Sequence, residues 1–186
     1  DGWSLGGSVV LSQHKSFNAG DSPNDFINGF GRDNWDQPLA IKLFGTFDLP
    51  FGFVGSFFYR HTSGSPYGRT VTVAPPLDWT ESHNAVPWTA WVRVEENGTR
   101  RNQSYDMMDI RFEKQFRLPL GRLSFFLDLY NLMGNRYVYV GMDPGGVWNP
   151  VAENTNIGTY TPGWNYGRLQ SIEGTRIFKF SIRFVF

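Results

Sequence analysis

The sequence predicts an all-β protein, in particular an antiparallel up-and-down transmembrane β-barrel segment of about six strands. Three observations lead to this prediction: six segments alternate apolar and polar residues, the connections between them are alternately short and long, and nearly all of their charges lie on one face. The composition is typical of such a fold, since aromatic residues make up 17% of the chain and its 21 glycines and 11 prolines suit many turns. No stretch approaches the ~18 apolar residues of a transmembrane helix.

Period-two alternation identifies the strands. In the first segment Trp3, Leu5 and Val9 alternate with Ser4 and Ser8, which places the two sets on opposite faces of a strand. Each segment has about the length that a tilted transmembrane strand requires, ~9–11 residues. The predicted strands are Trp3–Ser12, Leu39–Leu49, Phe53–Thr62, Met108–Phe116, Leu123–Leu132 and Ile177–Phe186.

The connections alternate strictly between short and long. Tight turns are predicted at Leu49–Gly52 and Arg117–Arg122, and long connections at about residues 13–38, 63–107 and 133–176. Outer-membrane barrels have this asymmetry, with short periplasmic turns and long extracellular loops. A soluble β-sandwich also has alternating strands, but its connections are usually ~4–6 residues long. The pattern therefore favours the outer membrane of a Gram-negative bacterium, with the C-terminus in the periplasm and the long loops outside the cell.

The charges of the six segments are distributed very unequally between the two faces. The face predicted to contact outer-membrane lipid carries one charge, Lys114, near a strand end. A charge that faces lipid costs roughly 2–4 kcal/mol at mid-bilayer, which explains the asymmetry. The charges predicted to face the lumen are Lys42, Asp48, Arg60, Asp109, Arg111, Glu113, Asp128, Lys179 and Arg183.

These lumen-facing charges have two interpretations. They could form a catalytic cluster, but an ionic ladder between neighbouring strands explains them more simply. No serine has a matched histidine and acid at a recognisable spacing, so the sequence gives no support for nucleophilic catalysis and predicts that the chain is not an enzyme.

Six strands are too few to close a membrane barrel. Single-chain barrels begin at about eight strands, and an open strand edge in lipid leaves backbone amides without partners. The segments Trp3–Ser12 and Ile177–Phe186 are therefore expected to pair with further barrel strands, supplied by the same or another chain. The partial barrel domain is predicted to cover residues 1–186, with the earlier strands and any N-terminal plug outside them.

The last strand carries a second signal. Phe180, Ile182, Phe184 and Phe186 alternate with other residues up to a terminal phenylalanine. This pattern resembles the C-terminal signal that delivers barrels to the outer-membrane assembly machinery. The resemblance implies that this machinery is a partner of the chain.

Several segments resemble, in order, the C-terminal barrel of TonB-dependent receptors, particularly the Oar-like branch. They are Leu43–Phe53, Ser63–Tyr67, Asp109–Phe116, Phe125–Asn135 and Glu173–Arg176. The resemblance implies the last six strands of a 22-stranded barrel that imports scarce nutrients and that contacts TonB only through an N-terminal region with no counterpart here. The alternative is a non-transporting outer-membrane barrel that serves as an anchor or subunit of a surface assembly. A plug before Asp1 would distinguish the two.

The long loops contain the candidate binding residues. Aromatic side chains there can stack on sugars or fill partner pockets, or they can pack the loops together, and the sequence leaves both interpretations open. The candidate binding aromatics are Trp79, Trp88, Trp91, Trp148 and Trp164.

No cofactor or metal site is predicted. His14, His61 and His83 have no ligand spacing, and the groups Asp21, Asn24, Asp25 and Asp33, Asn34, Asp36 are interpreted as solvated turns rather than calcium loops. The formal net charge of zero gives no basic field for nucleic acid. The absence of cysteine excludes disulfides.

Overall fold

A computed structural model describes residues 2–17, 23–33, 35–76, 89–135, 137–139, 144–151, 157–163, 168 and 171–186. This part of the chain is all-β, with two short 3₁₀ turns at Pro23–Phe26 and Pro50–Gly52. None of its helical segments is long and apolar enough to cross a membrane.

Six long strands form one antiparallel sheet. Each strand pairs with the preceding and following long strand in the chain, so the predicted meander order is confirmed. The strands are β1 (Trp3–Leu11), β4 (Leu39–Leu49), β5 (Phe53–Thr62), β10 (Tyr105–Leu118), β11 (Gly121–Tyr130) and β16 (Ile177–Val185).

The two tight turns lie at one end of this sheet. Leu49 pairs directly with Phe53, and the chain reverses between them through left-handed conformations at Phe51 (φ 64°) and Gly52 (φ 73°). The second turn is tighter than predicted, because Leu118 pairs with Gly121 and only two residues lie between them. Arg117 and Arg122, which the sequence assigned to the turn, therefore belong to β10 and β11.

The edges of the sheet are β1 and β16. Within the described residues β1 pairs with β4, β16 pairs with β11, and the two edge strands do not pair with each other. The six strands therefore form an open sheet rather than a closed barrel. This agrees with the expectation that residues 1–186 do not close a barrel by themselves.

The described residues of the long connections form ten short strands. Loop 1 is defined as residues 12–38, loop 2 as 63–104 and loop 3 as 131–176. Their strands are β2 (Lys15–Phe17), β3 (Phe30–Arg32), β6 (Pro66–Tyr67), β7 (Thr70–Val73), β8 (Ala90–Arg93), β9 (Arg100–Arg101), β12 (Tyr137–Tyr139), β13 (Pro144–Pro150), β14 (Gly158–Pro162) and β15 (Ser171–Glu173). The sequence analysis predicted loops in these regions.

The loops pack on one another. Strands of loops 2 and 3 form a four-stranded sheet in the order β14-β13-β7-β8, in which β7 and β13 are parallel. Loops 1 and 2 meet where the Arg32 N–H donates to the Asn97 carbonyl, at 2.9 Å. A Cβ at Gly31 would lie 2.0 Å from that carbonyl oxygen, so only glycine permits this approach.

Candidate functional site

The register of the six-stranded sheet determines which side chains share a face. Directly paired residues project to the same side, and one such row runs from Thr46 through Ser56, Arg111 and Asp128 to Lys179. With the period of two along each strand, this row defines the charged face. It carries Lys42, Asp48, Arg60, Asp109, Arg111, Glu113, Asp128, Lys179 and Arg183, together with Arg117 and Arg122.

The opposite side, the apolar face, is defined by the rows that alternate with the charged ones. One row runs from Leu5 through Phe57, Ile110 and Leu129 to Phe178. These side chains are not covered by a second layer, and Phe178 is 71% exposed. Monomeric soluble proteins rarely expose apolar patches beyond a few hundred Å², so an apolar face that continues over six strands indicates a surface for contact with lipid or with another protein.

Lys114 is the lysine that the sequence placed on the apolar face. Its ammonium lies 4.5 Å from the ring centroid of Phe53 and 5.2 Å from that of Phe116, and it donates to the Phe51 carbonyl in the tight turn. The side chain thus reaches the end of the sheet and ends on a backbone acceptor. This is how a lysine at an apolar surface keeps its charge solvated.

The sequence analysis missed a polar cluster at the other end of the apolar face. Asp106 accepts hydrogen bonds from the Tyr59 hydroxyl at 2.7 Å and bonds to His61 Nδ1 at 2.8 Å. Asp106 lies on this face because β10 begins at Tyr105 rather than at Met108, and it pairs directly with His61. Nothing in the local sequence around Asp106 indicates this partner, since it is 45 residues distant.

An ion pair lies at the centre of the charged face. Asp128 is 2% exposed and accepts hydrogen bonds from Arg111 Nε at 2.5 Å and Nη2 at 3.0 Å. The guanidinium carbons of Arg111 and Arg183 lie 5.4 and 5.0 Å from the ring centroid of Phe126. Phe126 is buried, at 6% exposure. The two cations therefore cover an aromatic ring on the charged face.

The other charged side chains of this face form hydrogen bonds with polar groups near them or are exposed to solvent. Asp109 accepts from the Asn131 N–H at 2.8 Å, which caps the end of β11. Glu113 accepts from Gln115 Nε2 at 2.9 Å, and Arg60 Nε donates to the Thr62 hydroxyl at 3.1 Å. Among the described residues, Arg111–Asp128 is the one ion pair of this face, so the charges do not form a continuous ionic ladder between neighbouring strands.

Asp36 joins loop 1 to loop 2. Its buried carboxylate accepts hydrogen bonds from the His14 N–H at 2.7 Å and from the Arg101 guanidinium, which also donates to the Gly64 carbonyl at 3.0 Å. Burial raises the pKa of Asp36, but these hydrogen bonds and the charges of Arg101 and Arg32 outweigh it and hold the pKa below its usual value. Asp36 is therefore a buried partner of Arg101, and its interpretation as part of a solvated turn is wrong.

The sequence analysis also considered other histidines and acidic residues as possible metal ligands and predicted no metal site. Asp21, Asn34 and His83 lie outside the described residues. Among the residues that the structure does describe, no three histidine, aspartate or glutamate side chains are grouped to hold a metal ion.

A second carboxylate, Glu95, organises loop 2 itself. It accepts from the Arg69 N–H at 2.9 Å, from Arg69 Nε at 3.0 Å and from Arg100 Nε at 2.9 Å. Burial raises the pKa of Glu95, and the hydrogen bonds from Arg100 and Arg69 lower it by more, so that the net shift is downward. Glu95, between β8 and β9, therefore connects Arg69, which precedes β7, with Arg100 of β9.

Two of the five candidate binding tryptophans lie in the described residues, and they occupy opposite faces of the loop sheet. Trp91 pairs with Thr72, while Trp148 pairs with the adjacent Val73. Trp148 packs on Gly158, where an added Cβ would lie 2.7 Å from its ring. Trp91 is 59% exposed. Packing thus accounts for Trp148, and Trp91 remains available for binding; Trp79, Trp88 and Trp164 lie outside the described residues.

The residues of the C-terminal signal lie at the free edge of the sheet. Phe180, Ile182 and Phe184 project from the apolar face of β16 and are exposed. Phe186 follows the last paired residue, is 99% exposed, and stacks on Phe184 with ring centroids 6.2 Å apart.

Acidification is expected to release loop 1 from loop 2. Because the folded-state pKa of Asp36 is depressed, its contribution to stability is fully present above about pH 4 and is lost as the pH falls through the lower folded-state value. The hydrogen-exchange protection of loop 1, corrected for the intrinsic exchange rate at each pH, should fall in that range, and Asp36→Asn should show the low protection already at pH 7. Equal exchange at pH 7 in the variant and the parent protein would contradict this role.

A comparison of the chain with models of protein families, with curated proteins and with solved structures found no match. The functional argument therefore depends on the two faces of the sheet, on the packed loops, and on the family resemblance of the segments named above.

Proposed function

We propose that this chain is the C-terminal barrel portion of a TonB-dependent receptor-like transporter in the outer membrane of a Gram-negative bacterium. One observation carries the proposal: the register separates a charged face from an exposed apolar face across all six long strands. A soluble sheet would bury its apolar face against a second layer. Lipid supplies that cover in a membrane barrel, and a water-filled lumen suits the charged face.

The orientation follows from the connections. Both tight turns lie at one end of the sheet, with the C-terminal Phe186, and this end faces the periplasm in the proposed arrangement. The three loops lie at the other end and face outward. TonB would contact a region outside residues 1–186, and the energy that it transmits would open the path through the barrel.

The open edges are part of the proposal. Edge amides without partners each cost several kcal/mol in hydrocarbon, so β1 and β16 pair with strands from outside residues 1–186. The charged face also carries large rings at Phe44, Phe58 and Tyr130, which need a lumen wider than six strands enclose.

The test is made in cells. Two strains are compared: one that lacks the gene, and the same strain complemented with it. In the complemented strain we would determine which cell fraction contains the protein and whether an impermeant reagent labels its loops. Uptake of candidate nutrients would be measured in both strains. The proposal requires outer-membrane location, loop labelling from outside and an uptake defect that collapse of the proton gradient reproduces. Recovery of the protein in the soluble fraction would overturn it.

A non-transporting anchor in a surface assembly is the second candidate. The open edges of β1 and β16 favour it, because strands of another chain could pair with them. Outer-membrane location with no uptake defect, together with co-purification of other surface chains, would select this function.

Deleting Phe186 is expected to remove most of the protein from the outer membrane without impairing its folding in detergent. The side chain is almost fully exposed, so its loss should change the free energy of unfolding by no more than ~0.5 kcal/mol, whereas the assembly signal loses its terminal ring. Outer-membrane levels and refolding yields are measured in parallel. Leu120→Ala, in an exposed turn, is the matched control and should alter neither. Unchanged outer-membrane levels after the deletion would remove the assembly signal from the proposal.

A further inference from the structure

A cleft of about 200 Å³ lies between loops 1 and 2. Its lining consists of Asp25, Gly68, Thr70, Trp91, Arg93 and Asn97. The strand pairing builds one wall, because Thr70 lies directly opposite Arg93, and Trp91 precedes Arg93 by two residues and so shares its face. The turn Pro23–Phe26 brings Asp25 to the other wall.

Thr70 supplies a buried polar atom without a partner. Its hydroxyl oxygen is almost, but not completely, shielded from solvent and has no hydrogen-bond partner among the described residues. Buried hydroxyls are nearly always paired, so an isolated one in the lining of a cleft indicates a position where a ligand donor or acceptor completes the pairing.

The charges of the lining favour a neutral ligand. Asp25 and Arg93 contribute one negative and one positive charge, and the Arg93 guanidinium is already directed to loop 1, where it donates to the Asp25 carbonyl at 3.1 Å. The Asn97 side chain is held by its hydrogen bond to the Arg32 carbonyl at 3.0 Å. A cleft for an anion would instead carry an excess of positive charge.

The aromatic wall and the size select among neutral ligands. The exposed ring of Trp91 offers a flat apolar surface beside groups that both donate and accept hydrogen bonds. A volume of about 200 Å³ lies below the ~300–1,000 Å³ of drug-sized pockets, so it suits one ring-sized unit. A pyranose combines a face of C–H groups with a rim of hydroxyls and matches both features.

We propose that this cleft binds a single neutral sugar ring, either a free hexose or one unit of a glycan, with Trp91 stacking on the ring and the Thr70 hydroxyl bonding to a sugar hydroxyl. The site lies entirely in the loops. It goes beyond the proposed function, since it would serve a transporter that recognises cargo as well as an anchor that recognises a glycan surface.

The experiment uses the whole protein extracted in detergent and saturation-transfer NMR with three probes: methyl α-glucoside, methyl β-galactoside and methyl α-mannoside. At least one glycoside should bind with a dissociation constant of about 1 mM or below. Inorganic phosphate is the anionic comparison and should neither bind at the cleft nor compete.

Two variants test the residues, and a third is the matched control. Trp91→Ala should weaken sugar binding about tenfold, as truncation of an aromatic anchor does. Thr70→Val keeps the branched shape and should weaken binding about fivefold while leaving thermal stability unchanged or raised, because it removes a buried hydroxyl without a partner. Trp35→Ala alters an exposed loop tryptophan outside the lining and should leave binding unchanged.

Three outcomes would overturn the proposal: no glycoside binds, phosphate binds in its place, or binding is equal in Trp91→Ala and the parent protein. A shift in electrophoretic mobility on heating, measured on the same samples, reports a folded barrel independently. If the parent protein shows that shift but binds no glycoside, the sugar-binding proposal is contradicted and the proposed function stands.

Discussion

Replacing Leu43 by arginine is expected to destabilise the folded protein in a lipid bilayer by about 2–4 kcal/mol, whereas Thr46→Arg should change its stability by less than about 1 kcal/mol. Both residues lie near the middle of β4. They are three positions apart along the strand, so their side chains lie on opposite faces. Leu43 belongs to the apolar face, and Thr46 lies between Ser4 and Ser56 on the charged face. If the chain lies in the membrane as proposed, a guanidinium at Leu43 would have to enter hydrocarbon, whereas one at Thr46 would enter the water-filled lumen.

The measurement is reversible unfolding by denaturant in lipid vesicles, made on the whole protein and on each variant. The contrast between the two faces decides the result, because both substitutions add the same charge and the same bulk near the same depth. Equal destabilisation by the two substitutions would mean that the apolar face does not contact lipid. A larger effect of Thr46→Arg would reverse the assignment of the faces.

The long strands and tight turns could be predicted because their signals are local. Alternation over about ten residues indicates a strand and its two faces without knowledge of its partner. The six predicted segments all became strands of one sheet in chain order. The errors lie at the ends, where β10 begins at Tyr105 and continues to Leu118. Cross-strand pairing extends the strand beyond the residues that alternate most clearly.

The structure of the loops could not be predicted, because it depends on contacts between residues distant in sequence. β7 and β13 are short, and Thr72 of one pairs in parallel with Val147 of the other, from a different loop. β7 has only four residues, and β13 contains two glycines and has a proline at each end, so neither gives a strong local strand signal. The Asp36–Arg101 bond could not be predicted either, because its partners are 65 positions apart in the sequence.

The ion pair of the charged face could be predicted only in part. Alternation predicted that Arg111 and Asp128 lie on a common face, but not that they contact each other. That contact requires the register of β10 and β11, in which the two residues are directly opposite. The register is set by the two-residue turn between Leu118 and Gly121, and Gly121 adopts a φ of 148° there. The turn thus determines which acid of the charged face receives the guanidinium.

Asp128→Ala is expected to reduce the free energy of unfolding by about 2 kcal/mol. Removing one partner of a buried ion pair typically costs ~3–5 kcal/mol, and the cost is smaller here because water can solvate the half-exposed Arg111. The loss also leaves Arg111, Lys179 and Arg183 near one another without the carboxylate that Arg111 contacts. Asp48→Ala removes an exposed carboxylate from the same face and should change stability by no more than ~0.5 kcal/mol.

A double-mutant cycle with Arg111→Met separates the pair from its surroundings. If the bond between the two side chains carries the effect, Arg111→Met combined with Asp128→Ala should cost about 1 kcal/mol less than the sum of the single substitutions, because neither partner is then left alone. The measurement is again denaturant unfolding in lipid vesicles. Additive losses would show that Asp128 stabilises the protein through the neighbouring charges of Lys179 and Arg183 and not through its bond to Arg111. Equal losses for Asp128→Ala and Asp48→Ala would show that burial of the Asp128 carboxylate on the charged face contributes nothing to the free energy of unfolding.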